Sequence, residues 1–569
     1  MAQHAVSAGM VTGGQALVAG LQAAGVDTVF CVPGESYLAA LDALIDSGIR
    51  VITCRHEGGA AFMAEAYGKL TGKTGVCFVT RGPGACNASI GLHTAKQDST
   101  PFLLLIGQVA RADRGREAFQ EIDYRQMFAP PIAKAVYEAE DAATLAQLTA
   151  DAVALAEHGR RGPVAISLPE DVLTDMTPAH DITPNAPAQV NDAPTLAQYL
   201  PDMIAQARAP VLLLGGSDWD DDAIKAVEGF ALRHHLPVIT AFRRQDLFDN
   251  THDCYAGALG TTVDTQLLAA VRDSDLVIAL GTRIGDIMTQ GYTLFDMPRM
   301  KQKLVHVYPD AHELNRNYTA DVAVQAGMRD CTHVLKDMTL DDCTRFYDRT
   351  RALHERYMQW STPRGEMRFE PDLDGIMNML IASLPRDAVI TTDAGNFSGW
   401  AQRFWRYARP NRLLAPTSGA MGYGVPSAIA ASLVYPDVPV VGFMGDGGFM
   451  MTAQDIATAQ QHGATPILLV FDNGMYGTIR MHQEKHYPGR VSATTLENPD
   501  FAAFAQSFGA YGARVQTTGQ FTTALEEALE ATQRDRRVAV IHICMDPEQL
   551  TTGATLSAIR HAAEQEKKV

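Results

Sequence analysis

Short apolar runs rich in β-branched residues, among them VCFV, PVLLLGG and TPILLVF, recur along the chain with longer Ala-rich stretches between them. A run apolar at every position predicts a strand covered on both faces, and regular alternation with helices predicts parallel sheets. The fold class that follows is α/β, and 569 residues are too many for one core. Punctuation divides the chain into three blocks. The first, 1–185, closes in the Pro-rich segment TPAHDITPNAPAQVNDAPT, which reads as a linker. The second, 186–360, holds strand, Gly loop, helix and strand in APVLLLGGSDWDDDAIKAVEGFALRHHLPVIT. The third, 361–569, follows the charged, turn-poor junction RYMQWSTPRGEMRFEPDLDG.

The first and third blocks share a pattern. VCFVTRGPGACNASIGLHTAKQDSTPFLLLIGQ (Val76–Gln108) runs strand, Gly-rich turn, helix, STP and strand. VVGFMGDGGFMMTAQDIATAQQHGATPILLVFDN (Val440–Asn473) repeats that order at nearly the same length. Three doubly wound parallel-sheet domains are expected, the first and third related, with a different α/β domain between them. Only the later copy carries Asp446 and Asn473, so the two related domains have different tasks.

Net charge narrows the partners. It is −18, from 47 Lys and Arg against 65 Asp and Glu, with no long basic run. That argues against nucleic acid and anionic membrane surfaces and leaves a small molecule as the expected partner. The apolar runs fall far short of a membrane span. The first residues, MAQHAVSAGMVTGGQALV, lack a cationic segment followed by a long apolar core, so no secretory signal is expected. Eight cysteines are scattered without a C-x-x-C, which fits buried thiols in a reduced, cytoplasmic protein.

The chemistry concentrates at PVVGFMGDGGFMMTAQDIATAQQHGATPILLVFDNGMYG. In a strand–helix–strand unit the strands run parallel, so their carboxyl ends share one edge of the sheet, where open α/β sheets bind ligands. Asp446 and Asn473 then sit close together, and oxygen ligands of this kind suit a hard cation such as Mg²⁺ that keeps phosphate oxygens in its shell. Gly445, Gly447 and Gly448 let the backbone approach, and a helix near Thr452–His462 offers N–H groups to an anion. A lone Gly-Asp-Gly often does no more than end a strand. Its spacing to DNGMYG across one strand–helix–strand unit makes it specific.

With those residues the sequence resembles the thiamine-diphosphate-dependent enzymes, whose signature is G-D-G followed one such unit later by N-N. The resemblance implies that Asp446, the Asn473 side chain and the Met475 carbonyl hold Mg²⁺, with Tyr476 among the contacts to thiamine diphosphate. The first Asn of the pair is Asp472 here. CRHEGGAAFMAEAYGKLTGKTGVCFVTRGPGACN (Cys54–Asn87) resembles the segment that supplies the carboxyl partner of the cofactor's pyrimidine, which makes Glu57 that partner. Gly58, Gly59, Ala60, Ala61 and Phe62 give it a small, mostly apolar setting that favours proton sharing. The simpler reading of Glu57 is an acid at a helix N-terminus, and Glu65 reads as structural or solvated. APTSGAMGYGVPSAIAA (Ala415–Ala431) resembles the segment that bends the cofactor, with Met421 as wedge and the Gly419 carbonyl as partner of its amino group. A Met in such a stretch otherwise packs; three separated motifs agree here.

The resemblance covers most of the chain and is nearest to the acetolactate-synthase-like branch. It implies a homodimer or homotetramer with active sites between subunits. REAFQEIDYRQMF (Arg116–Phe128) resembles a loop that brings Phe119 and Gln120 to the reacting carbon. His93, Arg81 and His482 stand where acetolactate synthases carry a small residue, a small polar residue and a Trp. Arg81 is read either as facing the pocket to pair with a substrate carboxylate or as a salt bridge to a partner subunit. His482 is read as an acid–base group or a smaller wall. In relatives the central domain binds FAD, binds an adenine nucleotide or is empty. LLLGGSDW and SDLVIALGTRIGD resemble FAD-binding segments, while Gly215, Gly216, Thr282 and Arg283 equally read as strand ends.

The expected function is a thiamine-diphosphate- and Mg²⁺-dependent lyase or carboligase that decarboxylates a small 2-keto acid. Two alternatives stand beside it. One is C–C cleavage of a 2-hydroxyacyl or diketone substrate without decarboxylation; the other is a binding or regulatory subunit without turnover. A P-loop hydrolase is excluded, since no G-x-x-x-x-G-K-[ST] occurs.

Overall fold

The computed structural model describes residues 9–130, 132–364 and 368–567. The start of the chain, where no secretory signal is expected, and part of the second junction therefore lie outside the described residues. Strands alternate with helices as the apolar runs predict. The first block contains β1 (Met10–Thr12), β2 (Thr28–Cys31), β3 (Arg50–Thr53), β4 (Gly75–Val79), β5 (Phe102–Gln108), β6 (Ala135–Glu138), β7 (Pro163–Pro169) and β8 (Met176–Pro178). The central block contains β9 (Pro210–Leu214), β10 (Val238–Thr240), β11 (Tyr255–Ala258), β12 (Leu276–Leu280), β13 (Lys303–Tyr308) and β14 (Val322–Gln325). The last contains β15 (Val389–Thr392), β16 (Leu413–Leu414), β17 (Val440–Gly445), β18 (Ile467–Asp472), β19 (Tyr511–Val515) and β20 (Ala539–Cys544).

Three six-stranded sheets result, with orders β3-β2-β4-β5-β7-β6, β11-β10-β9-β12-β13-β14 and β16-β15-β17-β18-β20-β19. All pairings within them are parallel. Renumbered from their own first strands, the first and third sheets have the same order, so the echo heard in the sequence is an identity of topology. The central sheet has the dinucleotide-fold order, reversing between β9 and β12. Strand periodicity explains its two cores: Leu212 and Leu214 enter one cluster, Val211 and Leu213 the other. Covering both faces is why these strands are apolar throughout, each fully buried Leu or Val contributing about 1.5–3 kcal/mol.

The chain gathers into two compact units. The first takes the chain up to Ala188 together with Ile429–Val434 and Thr452–His462; the second takes Gln189–Ala428, Tyr435–Met451 and the chain from Gly463 onward. In the first unit, Thr452–His462 clamps the turn between β3 and the helix Glu57–Thr71. Thr53 N–H donates to His462 Nε2 at 2.9 Å, Arg55 N–H to Asp455 Oδ1 at 3.0 Å, and the Arg55 guanidinium to Gln461 at 2.7 Å. In the second unit, the last helix, Leu556–Glu566, is held to the helix Gly477–His486 by two bonds from Arg560 to buried Glu484, at 2.7 and 2.8 Å.

Candidate active site

The third sheet reverses direction of strand addition between β15 and β17, and a cavity of about 190 Å³ opens at the carboxyl ends beside that point. This is where open α/β sheets hold ligands. Nine residues singled out in the sequence line it together: Gly419, Met421, Gly445, Asp446, Gly447, Gly448, Asn473, Met475 and Tyr476. Ala394–Phe397, following β15, also line it and were missed, because no motif marks them. Phe397 stacks on Phe471 with ring centres 5.7 Å apart, giving one wall an aromatic surface.

Close backbone packing explains the glycines. A Cβ at Gly448 would stand 2.1 Å from Asp393 Oδ2, and one at Gly447 would stand 2.4 Å from the Tyr476 ring. The helix begins at Asp446 itself and breaks at Ala453, earlier than the helix expected near Thr452–His462. β17 pairs with β18 up to Gly445 opposite Phe471, so Asp446 and Asp472 leave neighbouring strands at the same level. Asp446 Oδ1 accepts from Gly447 N–H at 2.8 Å; Asn473 Oδ1 accepts from Met475 N–H at 3.2 Å. One carboxamide bridges the two acids: Asn498 Nδ2 donates at 2.8 Å to Asp446 Oδ2 and at 2.8 Å to Asp472 Oδ1. Burial, and after it the charge of Asp472, push the Asp446 carboxyl well up from its ordinary range. Burial acts upward on Asp472 as well, but His542, Asn498 and Gly474 donate to it and hold it low. Asn498 and His542 carry no sequence signal; only the fold brings them here.

In the first unit Glu57 opens the helix Glu57–Thr71, capped by His56, whose Nδ1 accepts from Gly58 N–H at 3.0 Å. Its Oε2 accepts from Asn87 Nδ2 at 2.9 Å. Glu65, on the same helix, is fully buried and accepts from Thr100 at 2.6 Å, which settles it as structural. His93 is exposed on the helix Gly82–Asp98 that carries Asn87. Phe119 is 74% exposed, and the Gln120 carbonyl accepts from Gly82 N–H at 2.9 Å, tying that loop to the start of the helix.

Arg81 and His482 lie apart from this cavity. Arg81 is buried and its guanidinium is committed within its own unit, to Glu35 at 2.9 Å and Glu170 at 2.6 Å. His482 is exposed, parallel to His486, and is not among the cavity residues. Thr478, one turn earlier on the helix, does line the cavity, and a turn lifts His482 about 6 Å further along the axis.

In the central domain Gly215 N–H donates to Leu280 O, and a Cβ at Gly216 would stand 1.9 Å from Gly281 O. Trp219 donates to Gly215 O, Arg244 to Gly216 O, and His306 is bonded to Thr282 O. Gly215, Gly216 and Thr282 thus each have a structural task.

Comparison with known proteins follows the same three-part division. Residues 11–127 match the family described as thiamine pyrophosphate enzyme, N-terminal TPP binding domain; 198–337 match its central domain and 393–543 its C-terminal TPP binding domain. The acetolactate synthase large subunit of Parasynechococcus marenigrum (strain WH8102) is 33% identical over 539 residues, covering 92% of this chain and 86% of that protein. The chain belongs to the thiamine-diphosphate-dependent enzymes, in their acetolactate-synthase-like branch. Acetolactate synthase isozyme 2 large subunit of Escherichia coli (strain K12) is 31% identical over 527 residues, covering 92% of this chain and 94% of that one. A probable acetolactate synthase large subunit of Methanocaldococcus jannaschii is 31% identical over 534 residues, covering 91% and 90%. This thiamine-diphosphate enzyme is of the decarboxylase and carboligase class. Among its described residues no helix is long and apolar enough to cross a membrane.

Proposed function

We propose that this enzyme, with Mg²⁺ and thiamine diphosphate, decarboxylates a small 2-keto acid and joins the activated aldehyde to an acceptor, in the manner named for its acetolactate synthase relatives. The observation that carries the reading is the cavity in which Asp446, Asn473, Met475, Gly419 and Met421 meet at the reversal point of the third sheet. The donor set is all hard oxygen, which fits Mg²⁺, and Gly445, Gly447 and Gly448 line the same cavity. When bound, the cofactor supplies the carbanion-stabilising centre that no side chain offers.

The chain's own residues bind, orient and shield. Asp446, the Asn473 amide oxygen and the Met475 carbonyl hold the cation. Met421 and the Gly419 carbonyl set the cofactor's conformation, and Phe397, Phe471 and Leu550 keep water from the cavity. Glu57 holds the proton shared with the pyrimidine, on a carboxyl oriented by Asn87. A homodimer or homotetramer with sites between subunits, acting in the cytoplasm, accords with the resemblance.

The test is CO₂ release from a panel of 2-keto acids with both cofactors present and products identified by NMR. CO₂ with an acyloin or acetohydroxy acid is the expected result. Bound cofactor without CO₂ from any keto acid overturns the reading.

A further inference from the structure

The cation motif of this chain carries one carboxylate more than the resemblance calls for, and the structure surrounds that carboxylate with donors. Asp472 Oδ1 accepts from Gly474 N–H at 3.0 Å and from Asn498 at 2.8 Å. Its Oδ2 lies 2.8 Å from His542 Nε2. The tautomer follows from the other side of the ring: Phe501 N–H points at His542 Nδ1 at 3.3 Å, so Nδ1 accepts and the proton sits on Nε2, aimed at Asp472. His542 is buried and packs edge-on against Phe501, which fixes the ring.

Asn498 is the part that touches both acids. Its two amide protons go one to each carboxylate, at equal distances. It is placed by backbone pairing, since Tyr476 N–H donates to Thr494 O and Leu496 N–H donates to Gly474 O. The loop that carries Asn473 and Met475 is therefore laced to the segment that delivers Asn498.

We infer that Asn498 is a positioning residue of the cation site: its carboxamide bridges Asp446 and Asp472, with His542 behind Asp472, and so fixes the carboxylate oxygen that Asp446 offers to the cation. Asp472 is then a hydrogen-bonded anion beside the site and not a ligand. Without the amide, the two neighbouring carboxylates lose the donor that bridges them, and Asp446 loses the fixed orientation that Mg²⁺ geometry demands. Partners standing behind metal ligands in this way are worth about 10–100-fold in affinity.

The inference rests on the reading of Asp446 and Asn473 as cation ligands, and its test separates the two. The apparent Kd for Mg²⁺ is measured by calorimetry at saturating thiamine diphosphate, with Mn²⁺ electron paramagnetic resonance as a second readout. Wild-type protein that takes up neither cation would defeat the ligand assignment itself. With wild-type binding established, Asn498→Ala is expected to weaken the cation about tenfold or more. The double variant Asn498→Ala with Asp472→Asn is expected to recover most of that loss, because it removes the second charge that Asn498 bridges. An unchanged Kd in Asn498→Ala, or a loss that the second substitution leaves in place, overturns the inference. Should Asn498→Ala fail to fold by circular dichroism, Asn498→Ser with and without Asp472→Asn is read by the same two criteria.

Discussion

Asn87 gives its amide to Glu57 at 2.9 Å, so the first residue of one helix is oriented by the second turn of the next. A carboxyl fixed in this way delivers a proton from one defined oxygen. Glu57→Gln keeps the shape and loses the exchange. It is expected to bind Mg²⁺ and thiamine diphosphate as the wild type does while turnover falls about 10²–10⁴-fold. Cofactor titration beside kcat decides it, and unchanged turnover would remove Glu57 from the chemistry.

Cation removal should act through the cofactor. On the proposed assignment Asp446, which is nearly inaccessible, and Asn473 and Met475 in the same cavity hold a cation against the diphosphate. Dialysis against EDTA is expected to abolish thiamine diphosphate binding, and Mg²⁺ or Mn²⁺ to restore it. In Asp446→Ala, restoration should fail. Calorimetric retention of the diphosphate in EDTA would contradict this.

Asp393 predicts a stability effect of definite sign. Burial raises its carboxyl from an ordinary 3.8 to about 6, against the pull of the Gly424, Gly422 and Tyr423 amides and of Arg243. Between those values the folded chain holds a proton that the unfolded chain has lost, so stability falls as pH rises through the window. Above about pH 6 the full cost is present. Asp393→Asn is therefore expected to gain up to about 3 kcal/mol at pH 8 and nothing below pH 3.8, by denaturant unfolding. A gain independent of pH would point to some other cause.

Glu484 behaves oppositely. The two bonds from Arg560 lead the donors that hold it down, from an ordinary 4.5 to about 2, and its side chain is 1% exposed. A lowered carboxyl stabilises above its unfolded value, and the benefit is lost as pH falls from about 4.5 toward 2. Glu484→Gln is expected to cost about 3 kcal/mol near neutrality and almost nothing at pH 2. Hydrogen exchange of the Leu556–Glu566 amides reports it, since that helix is what Glu484 anchors.

What could be read from the sequence was whatever one strand–helix–strand unit determines. Asp446 and Asn473 were legible because parallel strands must bring their carboxyl ends to one edge. The related outer domains were legible because repetition of strand, Gly turn and helix is repetition of topology. Residues whose role depends on distant partners were not. An Arg before Gly-Pro-Gly looks the same whether it faces a ligand or, as Arg81 does, two carboxylates 46 and 89 positions away. Asn498 sits in a loop with no period and no motif, and its meaning comes from backbone pairing with the Gly474 loop. His482 stands one helical turn beyond Thr478, which lines the cavity.

The clamp of Thr452–His462 on the turn before Glu57 bears on how such a chain can be rebuilt. By sequence the third block is a module beginning near 361, yet Asp455, Gln461 and His462 belong by contact with Thr53 and Arg55. Gly59 has no side chain because Asp455 Oδ2 would stand 2.0 Å from its Cβ. A chimera that takes its last block from a relative must match residues 55 and 59 to its new 455, 461 and 462, or give up the turn that presents Glu57. Recombination at the junction near 361 would join two ancestries at a seam that the folded protein does not respect.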